Sequence, residues 1–294
     1  MEIADSGAVA PSSSLRTLLI LGRVSNLPTV WSNCLAGWWL GGGSSWGTFL
    51  LLCFATSCLY VGGMFLNDAF DAEFDRLHRS NRPIPSGAIT EAAVWRWGTG
   101  WLILGCILLI PHSGLSAILT LLLVGSILLY DWLHKLISFS PILMALCRFW
   151  LILLASSFGQ LGMGGLAIWS GLMLGCYIVG LSYLARRESQ SGAISLWPLI
   201  LLAAPLGLAW IVNHGDTRGE SLALSAVLVL WIIKTIAPLW TSTTPNIGHV
   251  VSGLLAGICF VDLLSVADVP QGLVLVFIAL FAMALLLQRR IPAT

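Results

Sequence analysis

The stretch from Asn67 to Gly87 reads NDAFDAEFDRLHRSNRPIPSG and breaks sharply with the apolar sequence before it. Asp68, Asp71 and Asp75 are spaced three and four apart, so on a helix their carboxylates share one face. Asn67 adds an amide beside them. Like charges at that spacing repel, and the arrangement costs free energy unless a cation or another partner offsets it. Hard oxygen donors on one face suit Mg²⁺, which keeps several waters and is shared with substrate phosphates. Arg76, His78, Arg79 and Arg82 follow at once, and guanidinium groups match phosphate oxygens. Carboxylates for a metal and arginines for phosphate are the two halves of a diphosphate site. The competing reading is a solvated loop whose acids and bases pair off. An EF-hand is excluded, because the acids are not at alternate positions and no glycine sits mid-loop. The RPIPSG run ends the segment in a stiff turn, since proline fixes φ and disfavours helix before it.

Such a site needs elements to hold it, and the composition indicates which kind. Of 294 residues, 57% are hydrophobic and only 9% charged, against about a quarter charged in soluble domains. With a mean hydropathy of +0.92, the chain is neither disordered nor suited to life as a water-soluble enzyme. An all-α, polytopic membrane protein of nine or ten transmembrane helices around a central cavity is the expected class, because long apolar runs cross a bilayer with their backbone groups paired internally. The formal net charge of +1 gives no electrostatic case for nucleic acid. The seven cysteines form no CxxC and no zinc-ligand spacing, so they read as buried reduced thiols. Residues 1–14 are small and polar and read as a disordered tail without signal-peptide features, and 15–294 as one transmembrane domain.

Ten candidate spans follow, at about 16–40, 47–66, 93–111, 115–133, 140–161, 166–185, 194–213, 221–240, 247–265 and 270–288. The ninth is the weakest: Gly248, His249, Gly253, Gly257 and Asp262 interrupt it, so it is tilted, packed inside the bundle or short of a full crossing. Eleven of the 14 lysines and arginines fall at one set of alternate span ends, and only Arg218 in an opposite loop. By the positive-inside rule the basic side, which carries the aspartate segment, is cytoplasmic. Arg289 and Arg290 belong on that side too, which favours an even count. Trp38, Trp39, Trp46, Trp95, Trp97 and Trp240 lie near span ends and read as interface anchors.

Read from Asn67 to Asp75 as NDxxDxxxD and continued by RxxRPIPSG, the segment resembles the first aspartate-rich motif of the UbiA superfamily of intramembrane prenyltransferases. Its length and its place after the second span make the likeness specific. A weaker likeness covers most of the chain. Arg23-Val-Ser-Asn26 resembles the family's first-helix Arg/Asn feature, and Tyr130 and Lys135 in YDWLHK resemble its tyrosine-and-lysine segment. The resemblance implies Mg²⁺ as cofactor, an isoprenoid diphosphate and a lipophilic acceptor as partners, and membrane lipid as surroundings, here a bacterial plasma membrane. It implies Asn67, Asp68, Asp71 and Asp75 as metal ligands, with Asp68, Asp71, Tyr130 and Lys135 in the catalytic set. Arg23, Asn26, Arg76, Arg79 and Arg82 become substrate-binding residues. The family's second acidic motif, after the sixth span, is reduced here to YLARRESQSG. Either Glu188 is its metal ligand, with Arg186 and Arg187 against the diphosphate, or the second metal is lost and the two arginines are a basic cluster at a span end.

Other ionisable residues carry weaker signals. Arg148 lies about two turns into the fifth span, where a charge faces a cavity or partner or snorkels outward; it is taken as a diphosphate contact from below. Asp131 either orients Tyr130 or a substrate group or is solvated. Lys234 and Asp262 either pair with each other, which is the plain expectation, or form a proton relay or acceptor site. Two rivals to prenyl transfer remain open: a terpene cyclase on the same scaffold, and a non-catalytic isoprenoid or lipid carrier. No duplicated halves favour the carrier.

Overall fold

A computed structural model describes residues 14–185, 197–213, 218–242, 246–266 and 269–293. Among these the regular structure is entirely helical. The order is α1 (Ser14–Leu21), α2 (Leu27–Leu40), α3 (Trp46–Phe70), α4 (Ala72–His78), α5 (Glu91–Leu109), α6 (Gly114–Leu133), α7 (Ser140–Ser156) and α8 (Gly165–Ala185), then α9 (Trp197–Leu202), α10 (Ala204–Val212), α11 (Arg218–Ile236), α12 (Pro238–Thr241), α13 (Ile247–Ala256), α14 (Ile258–Ser265) and α15 (Gln271–Gln288).

Each of the ten candidate spans has a helical counterpart, but not every one is a single long helix. Among the described residues seven segments are long and apolar enough to cross a membrane, so a count of nine or ten is not confirmed: α3, α5, α6, α8, α11–α12, α13–α14 and α15. Ser140–Ser156 and Trp197–Val212 are apolar but shorter. The first span is broken between α1 and α2 at Arg23, which takes a left-handed φ of 41°. Pro28 then opens α2 at a position where its missing N–H costs nothing. The seventh is interrupted at Ala203, just before Pro205, and the ninth at Gly257. That ninth segment is also the most buried of the seven, as expected of a span packed inside the bundle.

The core runs through α2, α7, α8 and α14, where Cys34, Leu35, Leu154, Leu174 and Ile258 are fully or almost fully buried. Large apolar side chains such as Leu50, Ile107, Leu121, Leu230 and Leu275 point outward, the pattern of a bundle whose solvent is lipid. Helices α3 and α5 cross closely because glycines let them. A Cβ on Gly62 would lie 2.9 Å from the Gly98 carbonyl oxygen and 2.9 Å from the Leu102 nitrogen. The crossing holds α3, and with it the aspartate segment at its end. Trp38 corrects the reading of that tryptophan as an interface anchor: it is buried against Trp46 and Phe49, with ring centroids 5.2 Å away in each case. Trp46, Trp97 and Trp240 are about half exposed, as anchors would be.

Candidate functional site

Four pieces of chain meet at one end of the bundle: the last turn of α3 with α4, the turn around Arg82, the end of α6 and the α1–α2 break. Asp71 sits at the joint of α3 and α4, yet the helical backbone pattern continues through it. The Asp71 amide donates to the Asn67 carbonyl at 3.0 Å and the Asp75 amide to that of Asp71 at 2.9 Å. The register is therefore kept, and Asn67, Asp68, Asp71 and Asp75 are all buried.

Burying carboxylates demands partners. Arg23 Nη2 lies 3.2 Å from Asn67 Oδ1 and 3.3 Å from Asp68 Oδ1. Arg82 Nη1 stands 3.7 Å from the same Asp68 oxygen. Lys135 Nζ is 2.7 Å from Asp71 Oδ1, and His134 Nε2 3.4 Å. Lys135 also lies 3.8 Å over the centre of the Phe74 ring. Burial works to raise the Asp71 pKa, but hydrogen bonds from His134 and Lys135 override it and hold this carboxyl below its usual range. Burial, together with the nearby Arg23 charge, lowers the Arg82 pKa. The left-handed backbone at Arg23 is unfavourable for a residue with a Cβ, so the fold spends strain to aim this side chain.

The other residues singled out in the sequence are placed as follows. Arg76 is exposed and pairs with Glu91 at 2.6 Å, away from the carboxylates. Arg79 is exposed and makes no ion pair among the described residues. Asn26 is buried, and its amide donates to Ala293 O at 2.9 Å and to the Tyr60 hydroxyl at 3.2 Å, so it holds the chain's own tail. Arg148 reaches Asn33 and Thr29 rather than the aspartate end. Asp262 does not pair with Lys234. It accepts from the Ser32 hydroxyl at 2.5 Å and from Asn33 Nδ2, while Lys234 lies over the Trp231 ring. Tyr130 is half-buried and stacks on His134 with ring centres 5.1 Å apart. Arg186, Arg187 and Glu188 lie outside the described residues.

Asp131 belongs to the cluster although its spacing from the motif gave no sign of it. It is 2% exposed, and its Oδ1 accepts from Asn67 Nδ2 at 3.0 Å. Among the described residues no three of His, Cys, Asp and Glu converge into a ready metal cage. However, Asp75 Oδ1 and Asp131 Oδ2 are buried without a hydrogen-bond partner. Hard, unsatisfied oxygens fit Mg²⁺, which takes one or two carboxylates and completes its shell with phosphate oxygens and water.

The site is thus a set of buried acids and cations gathered at one end of an apolar helical bundle. The chain belongs to the UbiA prenyltransferase family, whose sequence pattern matches residues 25–196. It is 35% identical over 94 residues to a digeranylgeranylglyceryl phosphate synthase of Methanothrix thermoacetophila, covering 31% of this chain and 35% of that protein. It is 29% identical over 136 residues to one of Sulfolobus acidocaldarius, covering 46% of each. The match thus spans less than half the length of these curated relatives. Two solved structures share the fold. One is described as digeranylgeranylglyceryl phosphate synthase in membranes, with TM-score 0.59, 21% identity and 93% of this chain and 99% of that one covered. The other is an apo UbiA homologue from Aeropyrum pernix K1, with TM-score 0.64, 16% identity and 85% and 98% covered.

Proposed function

We propose that this protein transfers a prenyl group from an isoprenoid diphosphate to a lipophilic acceptor within the membrane, with Mg²⁺ as cofactor. The observation that carries the reading is the buried set of Asn67, Asp68, Asp71 and Asp75 facing Arg23, Arg82 and Lys135 at one end of an apolar bundle. Asp68, Asp71 and Asp75, with Asn67, would hold Mg²⁺, which supplies positive charge against the diphosphate oxygens. Arg23, Arg82 and Lys135 stand where they can exchange carboxylate partners for those oxygens. They then stabilise the charge that gathers as the allylic C–O bond breaks and its electron pair leaves with diphosphate. The acceptor's nucleophilic atom bonds to the allylic carbon and loses its proton. Exclusion of water would keep the cation from being captured before it meets the acceptor. Tyr130, stacked beside His134, lines the same end. Glu188, with Arg186 and Arg187, would complete the second acidic motif.

The names of the relatives make glyceryl phosphate compounds the first acceptors to test. The arginine distribution supports a cytoplasmic aspartate end. Although a bacterial membrane was expected, the named relatives are archaeal. The test is pyrophosphate release by the purified protein from a panel of allylic diphosphates, in Mg²⁺ or EDTA, with and without acceptor. Release that needs Mg²⁺ and acceptor, with a prenylated product, is expected. Mg²⁺-dependent release with a cyclised product and no acceptor would replace transfer by cyclisation. Binding without release under every condition would leave a carrier.

A further inference from the structure

We propose that Asp131 is a further carboxylate of the divalent-cation site, supplied by α6 and absent from the aspartate motif. The inference rests on the reading above and deepens it. Its first support is a count of charge partners. Asp68 is met by Arg23 and Arg82, and Asp71 by Lys135 and His134. Neither Asp75 nor Asp131 makes an ion pair among the described residues, although they are only 3% and 2% exposed. Each also keeps one oxygen, Asp75 Oδ1 and Asp131 Oδ2, buried with no hydrogen-bond partner. A buried carboxylate left in that condition is unfavourable unless something positive joins it. Arg23, Arg82 and Lys135 make their ion pairs with Asp68 and Asp71 instead.

The second support is the hydrogen-bonding logic of Asn67. A guanidinium only donates and an ionised carboxylate only accepts. Asn67 lies between Arg23 at 3.2 Å and Asp131 at 3.0 Å, so its amide has one satisfactory orientation, oxygen toward Arg23 and nitrogen toward Asp131. Asp131 is thereby fixed one side chain away from the first residue of the motif, with one oxygen anchored and the other unused. That is the arrangement of a carboxylate held to offer its second oxygen. The absence of a ready three-residue cage among the described residues agrees with a cation that arrives with its diphosphate and takes part of its shell from it. Asp131 would add negative charge to the site from the neighbouring helix.

The test is Mn²⁺ binding to the full-length protein in detergent, read by electron paramagnetic resonance in the presence of inorganic pyrophosphate. Asp131→Asn keeps an acceptor oxygen for Asn67 and removes the charge, so it separates ligation from positioning. Mn²⁺ binding weakened roughly tenfold or more, as expected for a lost ligand charge, supports the inference. Asp71→Asn serves as the control on the motif itself. Wild-type Mn²⁺ affinity in Asp131→Asn with weakened binding in Asp71→Asn overturns the role of Asp131 alone. Wild-type affinity in both overturns the metal reading of the motif as well. Should Asp131→Asn fail to fold, Asp131→Ser in the same titration decides by the same criterion.

Discussion

The Lys135–Asp71 pair offers a direct test of the site's electrostatics. The two groups are 2.7 Å apart, with side-chain exposures of 31% and 11%. At an effective dielectric near 20, charges at that distance attract by roughly 6 kcal/mol, and desolvation of both ions removes most of it. A net coupling of about 1.5–3 kcal/mol is the expectation for a charge-assisted hydrogen bond in this partly shielded position. The assay is a double-mutant cycle on Lys135→Met and Asp71→Asn, read by chemical unfolding in detergent micelles. Either single change should destabilise the fold, because each leaves a charge without its nearest partner. The double variant should recover about 1.5–3 kcal/mol relative to the sum of the singles. Additivity within about 0.5 kcal/mol would refute the reasoning and assign the contact to packing of Lys135 on Phe74 alone.

Further expectations follow from the same geometry. The depressed Asp71 pKa stabilises the folded state above the unfolded carboxyl value of about 3.9, and that contribution is lost as pH falls through the lower folded value; acid unfolding of Lys135→Met should show a weaker contribution from this carboxyl. Arg23→Met, which removes the donor to Asn67 and Asp68, should lower kcat/KM for the allylic diphosphate by roughly 100-fold, about 2.7 kcal/mol, while the fold persists; a change under threefold would count against a diphosphate role. Arg76→Gln breaks only an exposed pair with Glu91 and should leave kcat/KM within about twofold. Gly62→Val should cost about 1–3 kcal/mol of stability, since the added atoms meet the α5 backbone at Gly98 and Leu102 as well as the Leu102 side chain; unchanged unfolding would show that the crossing can open.

How much of this was legible in the sequence depended on whether the deciding interaction was local. The Asp68–Asp71–Asp75 spacing was readable because a helical register fixes which side chains share a face, and the backbone keeps that register through the α3–α4 joint. The apolar segments were readable because lipid leaves the backbone few alternatives. The arginines after the motif looked equivalent in sequence, yet among the described residues only Arg82 of the three reaches an aspartate. Arg76 is drawn to Glu91, 15 residues on, and nothing near Arg76 in the sequence announces that pairing. Asn26 shows the same limit more strongly. Its partner Ala293 is 267 residues away, and only tertiary packing brings a C-terminal carbonyl to the first helix break. Asp262 looked like a partner for Lys234 because both are charges in apolar segments, but Ser32 and Asn33 satisfy it through hydrogen bonds.

Arg23 joins these two kinds of information. Its identity suggested a substrate contact, but its use depends on a left-handed φ that no side-chain pattern encodes and that costs about 1–3 kcal/mol in a residue with a Cβ. Such a conformation persists only where its surroundings hold it. Here Ser25 and Asn26, two and three residues on, are tied to the carbonyls of Pro292 and Ala293. Arg23 itself is drawn to Asn67 and Asp68. The break in the first span is therefore the price of bringing a guanidinium to the aspartates. A straight helix from 16 to 40 would place that residue elsewhere on its surface. The segment that looked like the simplest transmembrane span is the one whose irregularity completes the site.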